Sequence, residues 1–163
     1  MSGPVGAEIV AAESEEFLPD VRRLFVEYGE SLGFDLCFQG FREELAGLPG
    51  RYASPRGRLY VARVAGEHIG CVGLRPMEDD DVCEMKRLYV QPPHRGHGIA
   101  RGLVYQLILD AKRIGYRRMY LDTIETMDAA IGLYRSVGFV ECDPYSFHPV
   151  PGTKCFELML HTD

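Results

Sequence analysis

"VQPPHRGHGIARGLV", residues 90–104, joins the end of an apolar run to the start of a long amphipathic segment. Gly96 and Gly98 sit at the join, beside Arg95 and His97. Glycine in or just before the first turn of a helix costs backbone entropy, so the position must demand it. Two demands meet the description: a ligand that approaches the main chain closely, or a tight turn with no ligand. The flanking sequence bears on the choice.

Downstream, "GIARGLVYQLILDAKRIGY" (98–116) puts Ile99, Leu103, Leu107 and Ile114 on one apolar face and closes with Gly115, the pattern of a long helix. Upstream, "VCEMKRLYVQ" (82–91) is the last of three strand-like runs, after "RLYVARV" (58–64) and "EHIGCVGLRPM" (67–77). Ala65-Gly66 and the acidic residues 78–81 separate them at hairpin lengths. The acidic run reads as a solvated turn. Its contiguous carboxylates lack the spaced oxygen ligands and the glycine of a calcium loop, and no metal is expected.

Past the long helix, "RRMYLDTI" (117–124) reads as a strand and "MDAAIGLYRSVGF" (127–139) as a short helix ending at Gly138. "VECDPY" (140–145) is extended and "CFELMLH" (155–161) is a final strand. Ahead of the hairpins lie a first strand, "AEIVAAE" (7–13), and a helix, "SEEFLPDVRRLFVEYGESLG" (14–33). Ser14 is the expected N-cap of that helix, and Phe17, Leu18, Val21, Leu24, Phe25 and Tyr28 recur at helical spacing. "FREELAGLPG" (41–50) is a second short helix. The order β-α-α-β-β-β-α-β-α-β-β predicts an α/β (α+β) architecture: a mixed sheet with helices packed against it.

The 163 residues suit one domain, 1–163, whose chain would bury about two thirds of its unfolded surface. With 46% hydrophobic and 26% charged residues the composition is that of a soluble globular protein. A net charge of −6 argues against nucleic acid as a partner, since phosphate binding needs a basic face. No apolar run reaches the roughly 18 residues of a membrane span, and "MSGPVGAEIV" lacks a signal pattern. Cys37, Cys71, Cys83, Cys142 and Cys155 are odd in number and form no C-x-x-C, so they read as small buried apolar residues in a reducing cytoplasm.

Strand, glycine turn, helix is an arrangement that holds phosphate. First-turn amides point outward and the helix dipole adds about half a positive charge there. Gly96 and Gly98 leave room for an anion, and Arg95 can pair with phosphate oxygens. The turn is neither a Walker A loop nor a Rossmann fingerprint. By itself it leaves a plain turn open.

Two linked blocks tip the balance: "EMKRLYVQPPHRGHGIARGLV" followed by "YLDTIETMDAAIGLYRSVGF". Together they resemble the GNAT superfamily of acyl-CoA-dependent N-acetyltransferases, clearly over residues 58–141. Arg95, Gly98 and Ala100 match the family's [QR]-x-x-G-x-[GA] pyrophosphate loop. Ala130, Leu133, Tyr134, Gly138 and Phe139 match an A-x-x-L-Y-x-x-x-G-F signature. There is one departure. Many members have an asparagine seven residues before the tyrosine, contacting the pantetheine arm; here that residue is Met127.

The resemblance implies a mostly antiparallel sheet with two splayed parallel strands, and acetyl-CoA as co-substrate. Its pyrophosphate would lie on the amides of residues 95–100: Arg95, Gly96, His97, Gly98, Ile99 and Ala100. Its pantetheine arm would run beside Leu88 and Val90, with the Leu88 amide positioned to stabilise the thioester oxyanion. Glu84 resembles in position the glutamate many members use as a base, and Tyr134 the general acid near the coenzyme's sulfur. Under period-two alternation Glu84, Lys86, Leu88 and Val90 share one face unless a bulge intervenes. A surface carboxylate paired with Lys86 or Arg87 is the alternative for Glu84. His94 and His97 read as exposed turn residues.

The implied reaction moves acetyl from acetyl-CoA to a primary amine by direct attack in a ternary complex. The acceptor is a small molecule or peptide amine, and a homodimer is the oligomer implied, since many members dimerise. A non-catalytic acyl-CoA-binding sensor or interaction module is the alternative. No cysteine has the position for a covalent intermediate, although Cys83 adjoins Glu84. The tail "DPYSFHPVPGTKCFELML" (143–160) is stiffened by Pro144, Pro149 and Pro151 and displays Tyr145, Phe147 and His148. It either walls an acceptor pocket or closes the sheet edge.

Overall fold

Three consecutive strands set the frame, the antiparallel meander β2 (Arg58–Val64), β3 (Glu67–Pro76) and β4 (Val82–Val90). The computed structural model describes residues 6–33, 36, 40–145 and 150–160. Ala65 (φ 52°) and Gly66 (φ 80°) form the two-residue left-handed turn that matches strand twist in a hairpin. β1 (Ala7–Ala11) pairs with the outer side of β2, and β5 (Arg118–Ile124) runs parallel to β4. β7 (Thr153–Met159) is antiparallel to β5 and carries β6 (Val140–Cys142) on its far edge. The sheet order is β1-β2-β3-β4-β5-β7-β6, and β4–β5 is the one parallel pair among the described strands. The predicted mixed, mostly antiparallel sheet is the one observed.

Helices cover both faces. α3 (Ile99–Ile114) buries Ile99, Leu103 and Leu107, joined by Val104, Ile108 and Ala111, against Ile69, Val72, Leu74 and Met85. α4 (Asp128–Ser136) packs Tyr134 and Ala130 into the same cluster. On the opposite face α1 (Leu18–Ser31) buries Leu18, Val21, Leu24 and Phe25 against Leu59, Val61, Cys71 and Tyr89, with α2 (Phe41–Ala46) beside it. Each such side chain contributes about 1.5–3 kcal/mol on burial, which holds these helices where propensity alone would not. Among the described residues no helix is long and apolar enough to cross a membrane. Cys71, Cys83 and Cys155 are buried, Cys142 is half-buried, and Cys37 lies outside the described residues.

Two local expectations fail for identifiable reasons. α1 starts at Leu18 rather than after Ser14, whose carbonyl instead accepts the Phe17 amide in a turn. A start at Ser14 would bury Pro19 in the helix interior, where it has no amide to donate; the later start leaves it in the first turn. The second failure is in β4. Gly73 pairs with Lys86 but Cys71 with Tyr89, so β4 carries one extra residue, and Arg87 sits at φ 63°. Cys83 and Met85 point toward α3, and after the bulge so do Leu88 and Val90. Glu84 and Lys86 therefore face the other side of the sheet from Leu88 and Val90. The shared face expected from alternation is broken at Arg87.

Candidate active site

β4 and β5 are paired over three residue pairs only, Val82 with Arg118, Cys83 with Met119 and Glu84 with Tyr120. Beyond them β4 follows β3 while β5 follows β7, and the sheet opens. A narrow cleft of about 30 Å³ fills the opening, lined by Lys86 and Leu88 on one strand, Asp122 and Thr123 on the other, Met127 just before α4 and Tyr134 within it. Through Tyr28, Leu88, Met127 and Ala130 it adjoins a larger groove of about 750 Å³ that reaches the start of α3.

The groove ends on the glycine turn. Gly96 (φ 83°) and Gly98 (φ 81°) occupy left-handed backbone, and a Cβ on either would meet nothing within 4 Å. Backbone conformation, not packing, demands glycine here, and the space alongside is open. The first bond of α3 runs from the Gly102 amide to the Gly98 carbonyl. Helix geometry thus leaves the amides of Gly98, Ile99, Ala100 and Arg101 without intrahelical acceptors at the positive end of the dipole. Arg95 Nε donates to the Val90 carbonyl at 2.7 Å, with the guanidinium 5.6 Å over Tyr89, so it fastens the loop to the end of β4. Leu88, Val90, Arg95, Gly96, Gly98, Ile99 and Ala100 all line this groove. His94 does too, whereas His97 lies on a depression between α3 and β1.

Around the cleft the charges are buried and matched. Glu84 Oε1 accepts from Arg75 Nε at 2.9 Å, Glu84 Oε2 accepts from Tyr145 Oη at 2.6 Å, and Lys86 Nζ is 3.7 Å from Oε2. Burial alone would raise the Glu84 carboxyl, but Lys86, Arg75 and the Tyr145 hydroxyl outweigh it and hold the group below its ordinary value. Lys86 Nζ also reaches across the opening to Asp122 Oδ1 at 3.7 Å. Arg87, turned by the bulge, pairs with Glu44 of α2 at 2.8 Å, and Glu44 also accepts from Tyr52 Oη. Of the alternative for Glu84, a surface carboxylate paired with Lys86 or Arg87, the Lys86 contact is present, but the carboxylate is buried and its second cation is Arg75, not Arg87.

Tyr134 is 6% exposed, packed edge-on to Phe139 with centroids 5.9 Å apart. Burial pushes its phenol well above the ordinary tyrosine value, so it stays protonated and able to donate. Met127 lies in the cleft with its Sδ accepting from Thr123 Oγ1 at 3.6 Å. Cys83 is buried toward α3 with its thiol donating to the Arg118 carbonyl and pushed well up by burial. Tyr145 turns inward and stacks on Tyr120 at 4.5 Å. Phe147 and His148 lie outside the described residues.

Sequence reasoning missed Asp122. Glu84 is absent from the cleft lining, whereas Asp122 is part of it. The one signal was the acidic residue inside the strand "RMYLDTI". Tyr28 was legible only as part of the apolar stripe of α1, yet it borders both the cleft and the groove.

The sheet thus splits between two parallel strands, and a glycine-turned helix start lies at the end of the split. Residues 18–139 match the model of the Acetyltransferase (GNAT) family. An uncharacterised N-acetyltransferase of Schizosaccharomyces pombe is 39% identical over 161 residues, covering 98% of this chain and 99% of the relative. Another from Escherichia coli, YjgM, is 29% identical and covers 86% and 84%. Among solved structures, an acetyltransferase from Streptococcus agalactiae superposes with a TM-score of 0.77 at 20% identity, covering 96% and 99%. A Salmonella typhimurium protein described as a complex with acetyl-CoA gives 0.75 at 19% identity, covering 97% and 96%. The chain belongs to the GNAT family of N-acetyltransferases and is an acyltransferase.

Proposed function

We propose that this protein moves the acetyl group of acetyl-CoA to a primary amine by direct attack in a ternary complex, acting as a single domain in the cytoplasm. One observation carries the reading: the cleft between β4 and β5 adjoins a groove that ends on the glycine-turned start of α3. The open space beside Gly96 and Gly98 fits a pyrophosphate, and the edges of the split strands fit an extended arm. When bound, acetyl-CoA supplies an activated acetyl thioester. The amides at 98–101 hold its anionic end, and Met127, whose side chain has no amide, leaves the arm to strand backbone. The Leu88 amide faces developing negative charge on the carbonyl oxygen. Tyr134 donates a proton to the departing sulfur. Asp122, with water, takes the proton that the ammonium must lose, while Glu84 is the fixed charge that holds Arg75 and Lys86 in place.

Acetyl-CoA at one hundred times its Kd is expected to stabilise the protein by about 2.7 kcal/mol, a rise in Tm on the order of 5–10 °C. Thiol release with a panel of amino acids, polyamines and peptides then tests turnover. Stabilisation without thiol release from any amine would leave the acyl-CoA sensor; no stabilisation would remove both.

Gly98→Val is expected to weaken coenzyme A binding by about 10–100-fold in titration calorimetry, with the helical circular dichroism retained. A branched residue at φ 81° is strained by roughly 1–2 kcal/mol, and its side chain enters the space allotted to the anion. Unchanged affinity would mean that the glycine serves the turn alone.

A further inference from the structure

The chain has chosen arginine for almost every cation. Of its 18 basic residues, lysine occurs only at Lys86, Lys112 and Lys154. Lys86 is the buried one, 5% exposed, and two arginines share its cluster of charges, the half-buried Arg75 and the buried Arg87. Either of those holds a fixed charge, since guanidinium does not deprotonate in proteins. Lysine at 86 adds what arginine cannot, an amine that becomes a nucleophile on losing a proton.

Its placement is specific. Lys86 Nζ lies 3.7 Å from Glu84 Oε2 on its own strand and 3.7 Å from Asp122 Oδ1 on β5, so the side chain bridges the two strands where they part. The same opening is lined by Leu88 and Tyr134, the residues assigned to the thioester carbonyl and sulfur. Desolvation by burial pulls the Lys86 ammonium below its ordinary value, with Glu84 and Asp122 offsetting part of the effect.

We propose that Lys86 is an internal acceptor: in the absence of a substrate amine the protein acetylates its own Lys86 from acetyl-CoA. The inference rests on the acetyl-CoA reading above. The Lys86 ammonium first passes one proton to Asp122 and on to water. The Nζ lone pair then forms the N–C bond to the acetyl carbon, the C–S bond breaks, and the sulfur leaves with coenzyme A, taking the second nitrogen proton by way of Tyr134. The products are an amide, a free thiol and one proton released to solvent. The amide carries no charge, so Glu84 and Asp122 lose a shared cation. The modified protein is thereby expected to be less active toward added amines, and a bound acceptor protects Lys86 by occupying its path.

The test uses the full chain incubated with isotopically labelled acetyl-CoA and no amine, followed by peptide mass mapping. Lys86 is expected to carry label at least about tenfold above Lys112 and Lys154, because a held amine reacts at an effective concentration far above that of free collision. The excess should vanish when the chain is unfolded in urea before exposure, and the rate per molecule should not depend on protein concentration. Calorimetry with coenzyme A runs on the same sample. Binding with Lys86 unlabelled, or labelled no faster than Lys112 and Lys154, overturns the inference and spares the acetyl-CoA reading. Absence of binding overturns both.

Discussion

Tyr134→Phe is expected to lower kcat by about 10²–10⁴-fold, the range for loss of a positioned acid. The argument starts from burial. Tyr134 lies beneath the cleft against Phe139 and Phe156, ring centroids 5.9 and 6.3 Å away, so phenylalanine keeps the packing and removes only the hydroxyl. Because burial holds the phenol protonated far above neutral pH, the wild-type rate should show no alkaline loss traceable to Tyr134 below the ordinary tyrosine value of 10.0. Affinity for coenzyme A should be unchanged in calorimetry, since the hydroxyl acts on the leaving sulfur. A variant with full turnover, in an assay limited by chemistry, would take the tyrosine out of the mechanism.

Glu84→Gln is expected to cost about 3–5 kcal/mol of stability, because removing one member of a buried ion pair leaves its partners uncompensated. Arg75 would lose its carboxylate and Lys86 one of two, keeping Asp122, while Tyr145 could still donate to the amide oxygen. In thermal unfolding the drop in Tm should be on the order of 10 °C. The pH dependence has a definite sign. The folded-state pKa of Glu84 lies below its ordinary value of 4.5, so its contribution is present above that pH and is lost as pH falls through the folded value. Wild type should therefore weaken on acidification below about pH 4.5, and the variant should lack that part of the loss. Its pH–rate profile should keep the wild-type shape. If stability instead holds and activity recovers only in alkali, Glu84 is the base after all, and Asp122 is not.

These expectations divide along a line that the residues themselves draw. The order of elements was legible because each is written locally: Ile99, Leu103 and Leu107 repeat at the helical period, and β2 occupies the residues of its apolar run. So was the glycine turn, since left-handed backbone at Gly96 and Gly98 is a property of the residue type. The alternation of β4 was not. One extra residue at Arg87 turns Leu88 and Val90 away from Glu84 and Lys86, and strand periodicity carries no mark of a bulge. The start of α1 needed Pro19 weighed against Ser14, a local conflict that the sequence contained but did not rank.

By itself the sequence determined the elements, their order and the glycine turn, because dihedral preference and apolar period act over a few residues. Only the tertiary structure decided the chemistry around the cleft. Glu84 meets Tyr145 across 61 positions and Arg87 meets Glu44 across 43, and nothing local says which carboxylate finds which cation. The split of β4 from β5 is likewise a matter of which strand each follows, β3 or β7. That choice leaves Asp122 and Lys86 facing one another across the opening, and it is made by long-range pairing, where burial and charge balance outweigh any preference a single residue carries.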